Sequence, residues 1–549
     1  MKSAGRDKCP LTWENRVCKQ SFLVGREGTV VVKPVSHNLD RIRVRFDDDR
    51  SVATAGLLLP VTLGKRLGLP AGLNRHVSGR DRRQCRNAAA KAMTMISSLL
   101  AGGEFISDVA MLSSGATERV LGHRVVSESR CGEWLRSLTS DDVEGLATVN
   151  TELVAAGWEH QLGPDLDAGE PLILDIDSTL VETYGVTKEG TRASDYLGRH
   201  GYQPLICAEA STGQVIAARL REGNANPARD AAEFLDDTFT TMRPVLKTRH
   251  KVVLRADSGF YTKNVVDTCR RHRVGFSITI RQQRPIRDRI AAIANTQWRT
   301  VEHTTQQRVD VGAVDYMVKG RADSTPPVPC RLIVRRTTTP ADTGEPQPRL
   351  FDLVEYHAFV TDQPGHPAAL ARQHRRHAVI ETVIRDLKHG VAVNHMPSSR
   401  YQANAAWLQL NILAYNLARL TTRTITTRPL TTKTFRHRYL TIPGRITTGA
   451  RTPTIHLPTN WPWAHWSSPR EPDTLIMGVR PGGESDWVRN SRHGEGEGSS
   501  RMSSNGMRLR SSVLLVSRLL RWPASWGSMT RRWGTGFVRM RSTVVNATG

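Results

Sequence analysis

Residues 171–183 read PLILDIDSTLVET. An apolar run, Pro171 to Leu174, delivers two carboxylates one residue apart, Asp175 and Asp177, followed at once by Ser178 and Thr179. The run has the length and composition of a buried strand. Ionised carboxylates at its end cost free energy unless hydrogen bonds, cations or metal ions hold them. The strand's neighbours in sequence therefore decide both the fold and what the two acids are for.

Around it, residues 170–280 alternate between strand and helix patterns. YQPLICAEA (202–210) and QVIAARLRE (214–222) read as two strands joined by the turn STG. DAAEFLDDTFTTMRPVL (230–246) is an amphipathic helix, KVVLRADSG (251–259) a short buried strand, TKNVVDTCRRHR (262–273) a helix and VGFSITI (274–280) a strand. Strands that pair locally and then alternate with helices predict a mixed α/β layer fold.

Working outward, residues 1–50 hold short apolar stretches that suggest two strands. Residues 51–165 are helical in texture, for example RNAAAKAMTMISSLLAGG with its closing glycine pair. A basic helical domain here is expected to hold DNA, or equally to serve as scaffold. The α/β core is expected over 166–284, a β-rich insertion over 285–366, and a return to helix over 367–425. Within that last part, 368–390 is predicted as one long helix. In YQANAAWLQLNILAYNLARL (401–420), Ala406, Leu410, Leu413, Leu417 and Leu420 recur at helical spacing, with Trp407 expected in the core. Strands are expected again over 426–467. Residues 468–549 are rich in Ser, Gly and Arg without sustained periodicity and are expected to be a disordered basic tail.

The 549 residues carry 77 Lys+Arg against 52 Asp+Glu, a formal net charge of +25. A surplus of that size points to a polyanion, nucleic acid first. No apolar run approaches the ~18–20 residues of a membrane span, and the start lacks the apolar stretch of a signal peptide. The seven cysteines are scattered without zinc-ligand spacing, which fits reduced thiols in a cytosol.

Two chemistries write the opening stretch alike. A haloacid-dehalogenase-type phosphatase places D-x-D-x-T after a strand, as in Asp175-Ile176-Asp177-Ser178-Thr179, but also needs a strand ending in one Asp with another about four residues on. The segment VVLRADSGFYTKNVVD offers its next acid, Asp267, ten residues after Asp257. The alternative is a metal-dependent phosphodiester enzyme with an RNase H-like core, which gathers three carboxylates distant in sequence around hard divalent cations. Strand-borne Asp177 and Asp257 with a helix-borne Glu would serve. HRRHAVIETVIRDLKHG supplies Glu381, with His374 and Lys388 seven residues either side, His377 and Arg385 four residues either side, and an apolar face of Val379, Ile380, Val383, Ile384 and Leu387. An exposed salt-bridged helix face is the competing reading of that stretch.

These pieces together resemble a DDE transposase of the IS4-related superfamily, most closely the IS1380 family. IDST (176–179) resembles the first-Asp strand and ADSGFY (256–261) the second-Asp segment. A β-rich insertion separates the second acid from the third, and Glu381 and Lys388 fit the helix signature Y-x2-R-x3-E-x6-K. The Tyr and Arg of that signature are His374 and His377 here, with Arg375 beside them. The resemblance implies an RNase H-like catalytic core interrupted by a β-rich insertion and preceded by a mainly helical N-terminal domain. It implies Asp177, Asp257 and Glu381 as catalytic metal ligands for Mg2+ or Mn2+, two ions. DNA-phosphate contacts are implied at Lys388, Arg385, Arg375, His377, His374 and Tyr261, although Tyr261 fits a packed aromatic at least as well. Asp175 is left open: it orients a metal-bound water, or sits apart on the strand. The implied partners are double-stranded DNA, namely the element's inverted repeats and its target, and a second copy at synapsis. The implied location is a prokaryotic cytoplasm, at the nucleoid. A non-catalytic DNA-binding descendant stays an alternative beside the phosphatase.

Overall fold

A computed structural model describes residues 42–77, 87–164, 170–184, 187–194, 198–245, 251–320, 326–341, 350–449 and 452–464. Most of the expected N-terminal strands, and the tail at 468–549, lie outside these. Residues 42–48 belong to a short unit ending at Asp48; they are exposed and, against the expectation of a strand, carry no regular secondary structure. The larger unit begins at Asp49 and holds the sheet, the helices and the acids.

The apolar runs read from the sequence are strands of one nine-stranded mixed sheet: β1 (Leu172–Ser178), β2 (Leu205–Glu209), β3 (Val215–Arg219), β4 (Val252–Ala256), β5 (Gly275–Thr279), β6 (Arg299–His303), β7 (Arg308–Val318), β8 (Val328–Thr339) and β9 (Leu353–Thr361). Their order is β6-β7-β8-β9-β5-β4-β1-β2-β3. β1, β2 and β3 form an antiparallel meander. β4 lies parallel to β1 on its other side, and β5 parallel to β4. β6 to β9, the β-rich stretch, do not build a sheet of their own. They extend the same one through antiparallel pairing of β9 with β5.

Helices cover both faces. Alternation along β1 sends Leu172, Leu174 and Ile176 into one core, where they meet Phe234, Leu235 and Phe239 of α1 (Ala231–Met242) and Val265, Val266 and Cys269 of α2 (Lys263–Arg271). Asp175 and Asp177 therefore share the opposite face. On that side Ile206 and Ala208 of β2 and Val215 and Ala218 of β3 join a second core. Its central member is a buried helix, Tyr401–Ile425, in which Trp407, Leu410, Leu413 and Leu417 are all buried. The N-terminal helices at Leu58–Arg66, Ala88–Ala101 and Ser140–Glu159 pack into that same core, so they form a layer of the larger unit.

β3 ends the sheet, and polar side chains close that edge. Asn416 accepts from the Val215 N–H at 2.8 Å and donates to the Val215 carbonyl at 2.7 Å. Asn150, from the helix at Ser140–Glu159, donates to the carbonyls of Val215 and Ile216, and Gln409 donates to Ala218. These bonds satisfy backbone groups that an edge strand would otherwise leave open.

The predicted long helix at 368–390 is two. α3 (Pro367–Arg375) gives way to a 3-10 turn at Arg376–Ala378, and α4 (Val379–His389) follows. No glycine or proline lies at the break. Its cause is tertiary: Leu370 and Ala371 of α3 are anchored on Val311, Ile333 and Phe359 of the sheet extension, and Ile380, Val383 and Leu387 of α4 on the other core.

Candidate active site

The parallel register of β1 and β4 pairs Ile176 with Ala256, so Asp177 and Asp257 follow at the same level on adjacent strands. Neighbouring strands lie about 4.8 Å apart, which brings the two carboxylates together at the C-terminal ends of the parallel pair. Asp177 accepts the Ser178 N–H at 2.7 Å. Asp257 caps the short turn Ser258–Phe260, accepting the Gly259 N–H at 2.9 Å. In each case the bond uses Oδ1, which leaves Oδ2 free of hydrogen bonds from the described residues. Gly259 is required by space: a Cβ would lie 2.8 Å from the ring carbons of Pro227 and 3.1 Å from Asp257 Oδ1.

Glu381 stands in the first turn of α4 with its side chain exposed, and Ile380, Val383, Ile384 and Leu387 seat the helix. Its charge reaches Asp177. Burial, with the charges of Asp257 and Glu381 adding to it against the Ser178 hydrogen bond and His377, raises the Asp177 carboxyl from 3.8 to about 6. Burial and the two like charges each disfavour the ionised form of this carboxyl. Among the described residues, no three of His, Cys, Asp and Glu are close enough to grip an ion in this conformation, and Glu381 stands at the rim.

Asp175, two residues before Asp177, has another role. Arg255, its partner in register on β4, donates Nε to Oδ1 at 2.7 Å and Nη2 to Oδ2 at 2.6 Å. Both side chains are fully buried. Arg255 also donates to the carbonyls of Gln373 at 2.5 Å and Arg376 at 3.2 Å, and His377 Nδ1 lies 3.0 Å from Asp175 Oδ1. Arg255 was missed in the sequence, yet it left a signal. An arginine inside the run VVLRA demands a buried acid, and the adjacent strand offers one.

His374 is not near the surface. It is buried, stacked on Phe359 at 4.1 Å, and bonded through Nδ1 to Ser277 at 2.8 Å and through Nε2 to Thr279 at 2.9 Å. Burial, with the nearby His357, His377 and Arg255 charges, lowers its pKa to about 2. This neutral core ring has no edge left for a phosphate, which corrects the expected DNA contact. The break at 376–378 is the reason, since it takes His374 off the face that carries Glu381 and Lys388. Lys388 is half-buried and donates to the Leu180 carbonyl at 2.8 Å, tying the last turn of α4 to the segment after β1. Burial lowers its pKa. Arg385 and Arg375 are exposed. Tyr261 is packed, its hydroxyl donating to that of Tyr316 at 3.3 Å.

The structure thus pairs Asp177 with Asp257 at the ends of two parallel strands and leaves Glu381 exposed on α4, its charge felt at Asp177. The model of the family "Transposase DDE domain group 1" matches residues 35–468, and the chain belongs to that family. No curated protein matches it in sequence. Among solved structures, a piggyBac transposase synaptic complex with hairpin DNA is similar at 10% identity, over 71% of this chain and 77% of that one, with a TM-score of 0.37. That likeness is too distant to bear on the site. No single described helix is long and apolar enough to cross a membrane.

Proposed function

We propose that the protein is the transposase of an insertion sequence. It binds the element's inverted repeats, hydrolyses a phosphodiester at each end and joins the freed 3′-OH to target DNA. The observation that carries this reading is the shared level of Asp177 and Asp257 on β1 and β4, with the Glu381 charge felt at Asp177. The sheet order β3-β2-β1-β4-β5, antiparallel through the first three strands and parallel from β1 to β5, supports an RNase H-like core. β6 to β9, between the second acid and the third, are the insertion. The departures at His374 and His377 leave the IS4-related, IS1380-like assignment resting on the acids, Lys388 and the order of the segments.

The free oxygens of Asp177 and Asp257, with Glu381, suit hard cations, and we assign Mg2+ or Mn2+, two ions, to these three residues. When bound, such ions supply Lewis acidity at the reacting phosphodiester oxygens. The exposed Arg385 and Arg375, with the partly buried His377, are the candidates for backbone phosphates, and Lys388 fixes α4. The net charge of +25 suits duplex DNA. Two copies acting on two ends, at a prokaryotic nucleoid, complete the proposal. The phosphatase alternative loses its nucleophile, because both oxygens of Asp175 are held by Arg255.

The test is cleavage of an end-bearing duplex by Asp177→Asn, Asp257→Asn and Glu381→Gln. Each should stop cutting and keep end binding in a gel shift. A variant that still cuts removes its residue from the site.

A further inference from the structure

Arg255 sits where the sheet, α3 and α4 meet. Its guanidinium faces three ways, to both oxygens of Asp175 on β1 and to the carbonyls of Gln373 and Arg376. Those carbonyls belong to the last turn of α3 and to the 3-10 turn that follows. Each of these carbonyls already accepts a backbone N–H, Gln373 from Arg376 and Arg376 from Val379, and the guanidinium adds a charged donor at a helix end, where cations are favoured. His377, inside the 3-10 turn, adds a second contact to Asp175 at 3.0 Å. The turn that launches α4 is thus fastened to the strand that bears Asp177, and Glu381 lies one helical turn beyond His377.

We propose that Arg255 and Asp175 are positioning residues for the third acid. They act through the main chain of residues 373–377 and fix where α4 starts, and so where Glu381 stands relative to Asp177 and Asp257. The inference rests on the reading of Glu381 as the third metal-binding carboxylate. Its chemistry is that of a support behind a ligand: the pair touches neither ion nor DNA, but the ligand's reach depends on it. A fork that bonds an acid and two carbonyls at once is a task for guanidinium. A lysine ammonium can keep the charge beside Asp175 but cannot span both directions.

The full-length protein carries the test. A buried ion pair can often be replaced by apolar residues of similar volume without loss of stability, so Arg255→Met with Asp175→Leu keeps the packing and removes the fork. Two readouts are taken, amide hydrogen exchange of residues 376–383 without metal, and the Mg2+ concentration for half-maximal end cleavage. The expected result is an unfolding midpoint near wild type, faster exchange in 376–383, unchanged end binding and a rise of about tenfold or more in the Mg2+ requirement. Wild-type protection and Mg2+ dependence in the folded double variant would overturn the proposal. Should the double variant fail to fold, Arg255→Lys decides by the same two readouts and the same outcomes. Glu381→Gln separates the two failures. If it still cuts, the site reading has failed. If it is dead while the fork variants behave as wild type, only the positioning role has.

Discussion

Asp177→Asn should stabilise the metal-free protein while abolishing its chemistry. The folded chain holds the Asp177 carboxyl at about 6 against an ordinary 3.8, chiefly by burial. That gap corresponds to roughly 3 kcal/mol, which solvent at the open mouth of the site reduces to about 1–2 kcal/mol. The sign follows from proton counting. Between about pH 4 and pH 6 the folded state keeps a proton that the unfolded chain has released, so stability is fullest below that window and falls as pH rises through it. Asparagine has no such proton, and its side-chain oxygen can still accept the Ser178 N–H. In EDTA at pH 7 the variant should therefore melt higher than wild type by about 1–2.5 °C, using roughly 2.1 cal/mol/K per residue over roughly 400 folded residues. At pH 4 the difference should vanish. Mg2+ should raise the wild-type midpoint and leave that of the variant nearly unchanged. Paired thermal melts at the two pH values provide the measurement. An Asn variant no more stable than wild type at pH 7 without metal would refute the claim that Asp177 is held under electrostatic stress.

Three further perturbations address other parts of the structure. Gly259→Ala pushes a methyl into Pro227 and Asp257 Oδ1; it should cost about 1–3 kcal/mol in denaturant unfolding and lower the cleavage rate further than its stability loss explains. His374→Ala should destabilise by about 2–4 kcal/mol through lost packing and two unpaired hydroxyls, while the slope of DNA affinity against salt stays at the wild-type value. Asn416→Ala uncovers the Val215 N–H at the sheet edge and should cost about 2–4 kcal/mol in the same unfolding assay, with the Mg2+ requirement unchanged.

The core strands were legible because each is an apolar run bounded by turn residues, and the acids stood out because they end such runs. Register was not legible. Nothing in PLILDIDST or VVLRADSG states that Ile176 will face Ala256, and the pairing of Asp177 with Asp257 depends on it. Periodicity identified the strands at 299–361 but not the edge they would join, so an insertion in the sequence became an extension of the central sheet. HRRHAVIETVIRDL reads as unbroken helix by propensity, and the break at 376–378 comes from anchors at either end that lie far away in sequence. The same distance hid Arg255, whose partners are 80 and 118 residues away in the chain. His374 was misplaced because its seven-residue spacing from Glu381 was measured along a helix that does not continue.

The polar closure of β3 has an evolutionary consequence. Asn150, which helps to seal that edge, arrives from residues that a gene fragment starting at 166 would leave behind. Such a fragment would take Asn150 from the carbonyls of Val215 and Ile216 and from Asn416, and would strip the 401–425 helix of its N-terminal packing partners. Recombination could not graft a foreign module in place of the N-terminal helices without unmaking the core that carries the sheet. A lineage built this way must vary these helices residue by residue.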